Sequence, residues 1–444
     1  MLSTFQNAFK IEELRNRIYF TLAMLLVFRI GAHIPTPGID SNALAVFFQR
    51  QREEGSILTF FDMFSGGALQ RLTVFALGIM PYITASIVIQ LLTIVFPLLE
   101  RLSKEGEAGR RKITLYTRYA TIGLALVQGF TISVGLQNMT APDGSPLVQT
   151  GMSPWAFRLL TMITLTAGTA FLMWLGEQIS ERGVGNGISL IIFAGIVTDI
   201  PSAVLNSFRQ FQAGNLQLIS LVVVLVMMLA IIIAVIFMET AYRKIPVQYA
   251  KRQQGNKVFG GQSSHLPLKI NSAGVIPPIF ASSILAFPAT IAGFIQIPWV
   301  QGLANQFLPQ AFMYNALYVL MIFFFSYFYT AIQYNPVKIS DEMKKHGGFV
   351  PGIRPGQKTA EHLNEVLTRL TFAGAVYLSV VSVLPILLIR YMNVPFYFGG
   401  TALLIVVGVG LDTVRQMEAF LLNSNYDGFL RKTKKRTGTR TLRI

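Results

Sequence analysis

FFDMFSGGALQRLTVFALGIMPYITASIVIQLL, residues Phe60–Leu92, is the stretch on which the reading of this chain turns. Its second part, Leu72–Leu92, is an apolar run long enough to cross roughly 30 Å of hydrocarbon. Its first part differs. Phe60, Phe61, Met63 and Phe64 form a short greasy patch around Asp62, the pair Gly66-Gly67 breaks the run, and Arg71 sits at the join. That piece is too short to span and too apolar for an aqueous loop. It suits a re-entrant segment sheltered inside the protein, since irregular backbone at membrane depth is tolerated only there or beside a water-filled cavity. An interfacial hairpin leading into an ordinary helix satisfies the same pattern, and pattern alone leaves both readings open.

Outward from this stretch, the chain has 444 residues, 52% of them hydrophobic and only 13% charged. Soluble domains carry about 25% charge, so the composition is that of a polytopic membrane protein. With no cysteine, a disulfide framework, a thiol nucleophile and a cysteine-based metal site are excluded. Glu12 and Glu13 precede the first apolar run, and His33-Ile34-Pro35 after it lacks a small-residue cleavage site. The first span is therefore expected to be retained.

Residues 1–17 read as an amphipathic cytoplasmic segment with Phe5, Phe9 and Leu14 on one side. Ten apolar spans follow, at about 18–34, 72–92, 114–136, 154–178, 187–204, 216–238, 272–295, 311–334, 366–389 and 397–422. A basic tail, 423–444, closes the chain. The loops on one face hold only Arg50, Arg52, Arg71, Arg158, Arg209 and Arg390, and most of the 37 Lys+Arg lie on the other face. By the positive-inside rule both termini are cytoplasmic. Five spans on each side of about residue 212 suggest an inverted repeat, 18–212 against 213–422, because an odd count per half reverses orientation.

The formal charge of +16 exceeds what topology requires. Loops 239–271 and 335–365 are too long for simple connectors. The first carries Arg243, Lys244, Lys251, Arg252, Lys257 and Lys269; in the second, Gly and Pro from Gly347 to Gly356 hold Arg354 at a defined place. Each lysine taken singly is explained by topology or anionic lipid, whereas two protruding loops and a basic tail together point to a cytoplasmic docking platform.

Catalytic constellations are missing from the sequence. His33, His265, His346 and His362 lie apart, with no metal-binding H-x-x-x-H pair, and neither G-x-S-x-G nor G-x-x-x-x-G-K-[ST] occurs. Gly183-Val184-Gly185-Asn186-Gly187 reads as a tight turn between two spans. Ionisable groups inside the spans reduce to Arg29 near one end of span 1, Glu177 near the end of span 4 and Asp412 in span 10, with no evident pairing among them. A solute transporter built on an inverted repeat would need midplane charge, and an intramembrane enzyme would need a nucleophile or metal set. Ile79, Ile83 and Ile87, like Ile188 and Ile192, recur at helical spacing. Such a stripe serves as packing surface or as a constriction that excludes water.

Several longer motifs resemble one family. They are Gly78–Gln90, Trp174–Ser189, Tyr249–Gly255, Phe349–Gly356 and Pro395–Thr401, in order along the whole chain. On these the chain is identified as similar to the SecY family, the protein-conducting channels of the general secretory pathway. The resemblance implies an all-α clamshell of ten transmembrane helices, in two five-helix halves around an hourglass pore, with a lateral gate between spans 2/3 and 7/8. It implies a pore ring at Ile83, Ile87, Ile188, Ile192, Ile279 and Ile405, all isoleucine here. It places a plug over Phe61, Asp62, Met63, Phe64, Ser65, Gly66, Gly67, Ala68, Leu69 and Gln70, and polar gate residues at Gln90, Gln128 and Asn271.

The same resemblance implies a passive channel, without cofactor or metal, in the bacterial cytoplasmic membrane. Secretory polypeptides and their signal sequences would pass through it, and membrane segments would leave sideways into lipid. Arg243, Lys244, Lys251, Arg252, Lys257 and Arg354 would dock the SecA ATPase or the ribosome, including its RNA, which then supply the energy; DNA is not expected as a partner. SecE and SecG would brace the channel. Pro278 beside Pro277 departs from a familiar version of the pattern and predicts extra kinking in span 7.

Overall fold

The computed structural model describes residues 9, 11–40, 43–48, 62, 65–139, 146–148, 153–214, 217–249, 252–254, 257–259, 263–294, 311–392 and 400–437. They are mostly helical, in the order α1 (Glu12–Gly31), α2 (Met80–Val95), α3 (Pro97–Lys104), α4 (Glu107–Asn138), α5 (Pro154–Arg182), α6 (Gly187–Gln212), α7 (Leu218–Thr240), α8 (Ile276–Phe294), α9 (Phe312–Gln333), α10 (Pro336–Lys345), α11 (Gln357–Met392) and α12 (Gly400–Thr437). Five short strands interrupt the second half: β1 (Tyr242–Tyr249), β2 (Arg252–Gln254), β3 (Lys257–Phe259), β4 (Ser263–Lys269) and β5 (Gly348–Phe349).

Among the described residues, six helices are long and apolar enough to cross a membrane, or seven if the bent pair α2–α3 is one span. α7 exposes Ile219, Ile233 and Phe237 on its flanks, a surface that lipid tolerates and water does not. The chain is therefore a multi-span membrane protein.

Two compact units divide the chain: 1–202 with 409–444, and 203–408. In the first, α4 packs along α5 and α2. Gly129 lets α4 approach α5 closely, since a Cβ there would lie 3.3 Å from Met162 Cα. In the second, α9 packs against both α8 and α11.

The opening stretch folds differently from its apolar pattern. Residues Leu72–Ile79 are not helical; they form consecutive turns, and α2 begins only at Met80. Pro81 explains the late start. Lacking an N–H, it fits the first turn of a helix and breaks an interior. Leu72 (φ 39°) and Gly78 (φ 57°) take left-handed conformations that no helix accommodates. At its other end α2 stops at Phe96, and α3 leaves at 99°.

Pro277 and Pro278 likewise stand in the first turn of α8. There they cost no hydrogen bond, so they start the helix rather than kink its interior. At the N-terminus, Glu12–Arg17 are part of α1 instead of forming a separate surface helix; residues 1–8 and 10 of the expected amphipathic segment lie outside the described residues. The Gly183–Gly187 turn is as read. Gly185 has φ 89°, Asn186 Oδ1 caps α6 by accepting from Ile188 and Ser189 N–H, and Thr21 Oγ1 accepts from Val184 N–H at 3.0 Å.

The loop 239–271 contains most of the strand structure. β1 pairs antiparallel with β4 over seven residues and with β5 through Gln248 and Tyr249, giving the order β4-β1-β5. Pro246 is tolerated because β5 does not reach it, and Pro267 lies on the edge strand β4. The two long loops are thus one body. Ile245 and Leu268 from the first share a core with Val350 from the second and with Leu363, Val366 and Leu367 of α11.

Candidate functional site

In the region expected to act as a plug, the described residues Asp62 and Ser65–Gln70 form a hydrogen-bonded knot. Phe61, Met63 and Phe64 lie outside the described residues. Asp62 is buried, and its Oδ1 accepts from Gln70 N–H at 2.8 Å. Its backbone carbonyl accepts from Gly67 N–H at 3.0 Å and from the Ser65 hydroxyl at 2.9 Å. Ser65 Oγ in turn accepts from Leu69 N–H at 3.2 Å. Gly66 (φ 68°) and Gly67 (φ 78°) supply the left-handed backbone that closes the knot. The Asp62 carboxylate and its backbone carbonyl both accept hydrogen bonds within the turn, as a buried polar group requires. Ala68 and Leu69 are buried as well.

Helices of the first unit form a seat for this knot. A Cβ on Gly66 would lie 2.9 Å from Gly195 Cα of α6, so the two backbones touch. Phe75, just downstream, stacks between Phe28 of α1 (6.2 Å) and Phe171 of α5 (5.9 Å). Gly168 of α5 admits the Val74 carbonyl, which a Cβ there would meet at 1.9 Å. Leu72–Val74 is also stitched to the chain after α1, with Thr36 N–H donating to Leu72 O at 2.9 Å and Val74 N–H to Ile34 O at 3.0 Å. Arg29 of α1 donates from its guanidinium to Gly66 O at 3.1 Å. Sequence reading left Arg29 as a helix-end arginine and missed Gly195, Gly168 and Phe75. Its visible signal was small residues in apolar spans, which do not name their partners.

The isoleucine positions fall on helices. Ile83 and Ile87 are buried one turn apart on α2. Ile192 is buried on α6, where Ile188 is half-buried against Gly176. In the second unit, Ile279 is half-buried on α8 and Ile405 is buried on α12.

The polar positions differ among themselves. Gln90 donates to Ser86 Oγ at 3.1 Å within α2, and Gln128 is half-buried on α4. Asn271 is buried between β4 and α8, donating to the Glu239 carboxylate at the end of α7 and to Gly274 O at 3.1 Å. Glu239 was not among the residues singled out from the sequence, because it reads as an ordinary boundary charge. Glu177 requires a correction: it is bound in a bidentate pair by Arg118 of α4, at 2.9 and 2.7 Å. Asp412 has Arg415 at 3.7 Å on its own helix.

On the body made by the two loops, Arg243 and Lys244 are exposed on β1. Arg252 and Lys257 lie on the paired strands β2 and β3, and Lys251 lies outside the described residues. Arg354 is exposed on a braced turn, its carbonyl accepting from the Thr359 hydroxyl at 2.9 Å, with Gly356 O held by Ser340 Oγ at 2.7 Å. Among the described residues no group of His, Asp and Glu is placed to hold a metal ion.

A family model described as SecY matches residues 73–414. The chain belongs to the SecY family. It is 50% identical over 424 residues to the protein translocase subunit SecY of Escherichia coli (strain K12), covering 95% of this chain and 94% of that one. It is 47% identical over 426 residues to the protein translocase subunit SecY of Aquifex aeolicus (strain VF5), covering 96% and 98%. Among solved structures, a protein-conducting channel superposes with a TM-score of 0.64 at 16% identity, covering 91% of this chain and 92% of the other. A SecY channel whose plug domain is described as stabilising its closed state superposes at 0.62 and 17% identity, with the same coverage. At such identities the likeness speaks to the SecY fold alone.

Proposed function

We propose that this chain is the channel subunit of a Sec-type protein translocase and not an enzyme, passing unfolded polypeptides across the bacterial cytoplasmic membrane and releasing membrane segments sideways. The observation that carries this reading is about half-identity to translocase subunits over nearly the whole chain, joined to a hydrogen-bonded turn at Asp62 and Ser65–Gln70 that meets α1 and α6. In this reading ten helices form two five-helix halves with both termini cytoplasmic. Residues 61–70 plug the pore, and Ile83, Ile87, Ile188, Ile192, Ile279 and Ile405 form its waist. Gln90, Gln128 and Asn271 belong to the lateral gate. A greasy ring grips a passing chain while resisting water and ions, because a narrow apolar neck dewets.

The single cytoplasmic body made by the two loops supports docking of a partner at Arg243, Lys244, Lys251, Arg252, Lys257 and Arg354. That partner is SecA or a ribosome and supplies the energy; two of the solved neighbours are described as ribosome-bound channel complexes. SecE and SecG are the expected bracing subunits. Because the chain has no cysteine, single cysteines at 83, 279 and 405 test the pore directly. Each should crosslink to a stalled secretory chain, and a cysteine at lipid-exposed Ile233 should not. Crosslinking confined to Ile233, or absent from all three pore sites, would sink the proposal.

A further inference from the structure

We propose that Arg29 is the latch of the plug, a positioning residue that holds the 62–70 knot in its seat until a substrate chain displaces it. This rests on the plug reading above and assigns the holding force to one side chain. Asp62 is tied to Ser65, Gly67 and Gln70, and Ser65 to Leu69, so these residues move as one body, and what keeps them in place must reach them from outside. Thr73 N–H donates to Ala68 O at 2.9 Å from the adjoining segment, and two contacts from other helices differ in kind. The Gly66–Gly195 approach is backbone against backbone; it sets shape but has little direction or strength. The Arg29 guanidinium donating to Gly66 O at 3.1 Å is directional and charge-assisted.

Its origin and surroundings fit a releasable bond. Arg29 stands in the last turn of α1, where a cation is favoured by the helix dipole whether or not the knot is seated. The arginine therefore stays ordered when the bond breaks. Two further charges act on it, Arg71 as a like charge and Asp199 as an opposite one. Arg71, exposed in the segment that follows the knot, repels the guanidinium, and Asp199 on α6 attracts it. A bond so balanced adds a releasable hold on the idle channel and yields to an entering polypeptide.

The test uses the full channel with its partner subunits in vesicles and a single thiol at the knot, Leu69→Cys, where the native side chain is buried. The rate of maleimide modification reads how often the knot leaves its seat. In the idle channel, Arg29→Met should raise that rate about tenfold or more, the scale of one charge-assisted hydrogen bond, and Arg29→Lys should fall between. An unchanged rate in Arg29→Met overturns the latch. So does an equal acceleration at a control thiol, Leu172→Cys in the core of α5, because that reports general loosening. Loading a stalled secretory chain should expose the thiol at 69 even with Arg29 intact. If loading exposes it and Arg29→Met does not, the latch fails alone; if loading leaves it protected, the plug reading fails with it.

Discussion

At the scale of single residues, the informative feature is how charge is held within an apolar chain. Glu177 looks unpaired in sequence because its partner, Arg118, is 59 residues away on the neighbouring helix. No local pattern reports such a pairing; it exists only once α4 and α5 pack. The Glu177 side chain is 18% exposed and that of Arg118 42%, so the pair is only partly screened and both oxygens are used. Removing one partner should therefore cost more than a surface pair would. Glu177→Gln or Arg118→Met is expected to destabilise the purified channel by about 1–3 kcal/mol. The exchange Arg118→Glu with Glu177→Arg should recover part of that loss in a thermal unfolding series in detergent. No recovery in the exchanged protein, with both single variants near wild type, would mean that the pair contributes nothing. Ile83 and Ile87 show the complementary case. Their helical spacing was plain in the sequence, but spacing cannot say whether a buried isoleucine lines a pore or fills a core.

At the scale of elements, sequence pattern gave the position of each apolar run and misjudged what some runs become. Leu72–Ile79 is as apolar as any span, yet Pro81 and the left-handed Leu72 and Gly78 make it a chain of turns. Hydropathy sees the solvent that a segment prefers and is blind to its backbone angles. The opposite happened in 239–271, read as a basic loop. Alternation in β1 buries Ile245 and Val247 between exposed neighbours, but Pro246 and the surrounding charge obscure that period. Folded together with Val350 and Leu363, these strands carry Arg354 on a defined turn. A consequence follows for docking. Leu363→Ala removes a fully buried side chain from this core, at a cost of about 2–5 kcal/mol to the local fold. It should weaken SecA or ribosome binding although every basic residue is still present, and it should speed protease cleavage between 239 and 271. Wild-type binding with rapid cleavage would show that Arg354 needs no ordered support.

At the scale of the whole molecule, the distribution of charge and the number of crossings constrain each other. A net charge of +16 is costly to place on both faces of a membrane whose inner surface is negative, and Lys and Arg are retained on that inner side. With ten crossings, loops 2/3 and 8/9 both face the cytoplasm, and the turn after α6 faces outward. With an even number of crossings in either half, one of these assignments reverses, so labelling three sites reports the arrangement of both halves. Lys104, Arg209 and Lys345 are exposed and sit on α3, near the end of α6, and at the end of α10. In the cysteine-free chain, single thiols at 104 and 345 should react with a membrane-impermeant reagent only from the cytoplasmic side, and a thiol at 209 only from the other. Reaction of 104 and 345 from opposite sides would rule out two five-helix halves, because an inverted repeat requires equal, odd counts. Reaction of 209 from the cytoplasmic side would move the seam between the halves away from the turn after α6, and with it the expectation that Ile188 and Ile192 come from one half and Ile279 and Ile405 from the other.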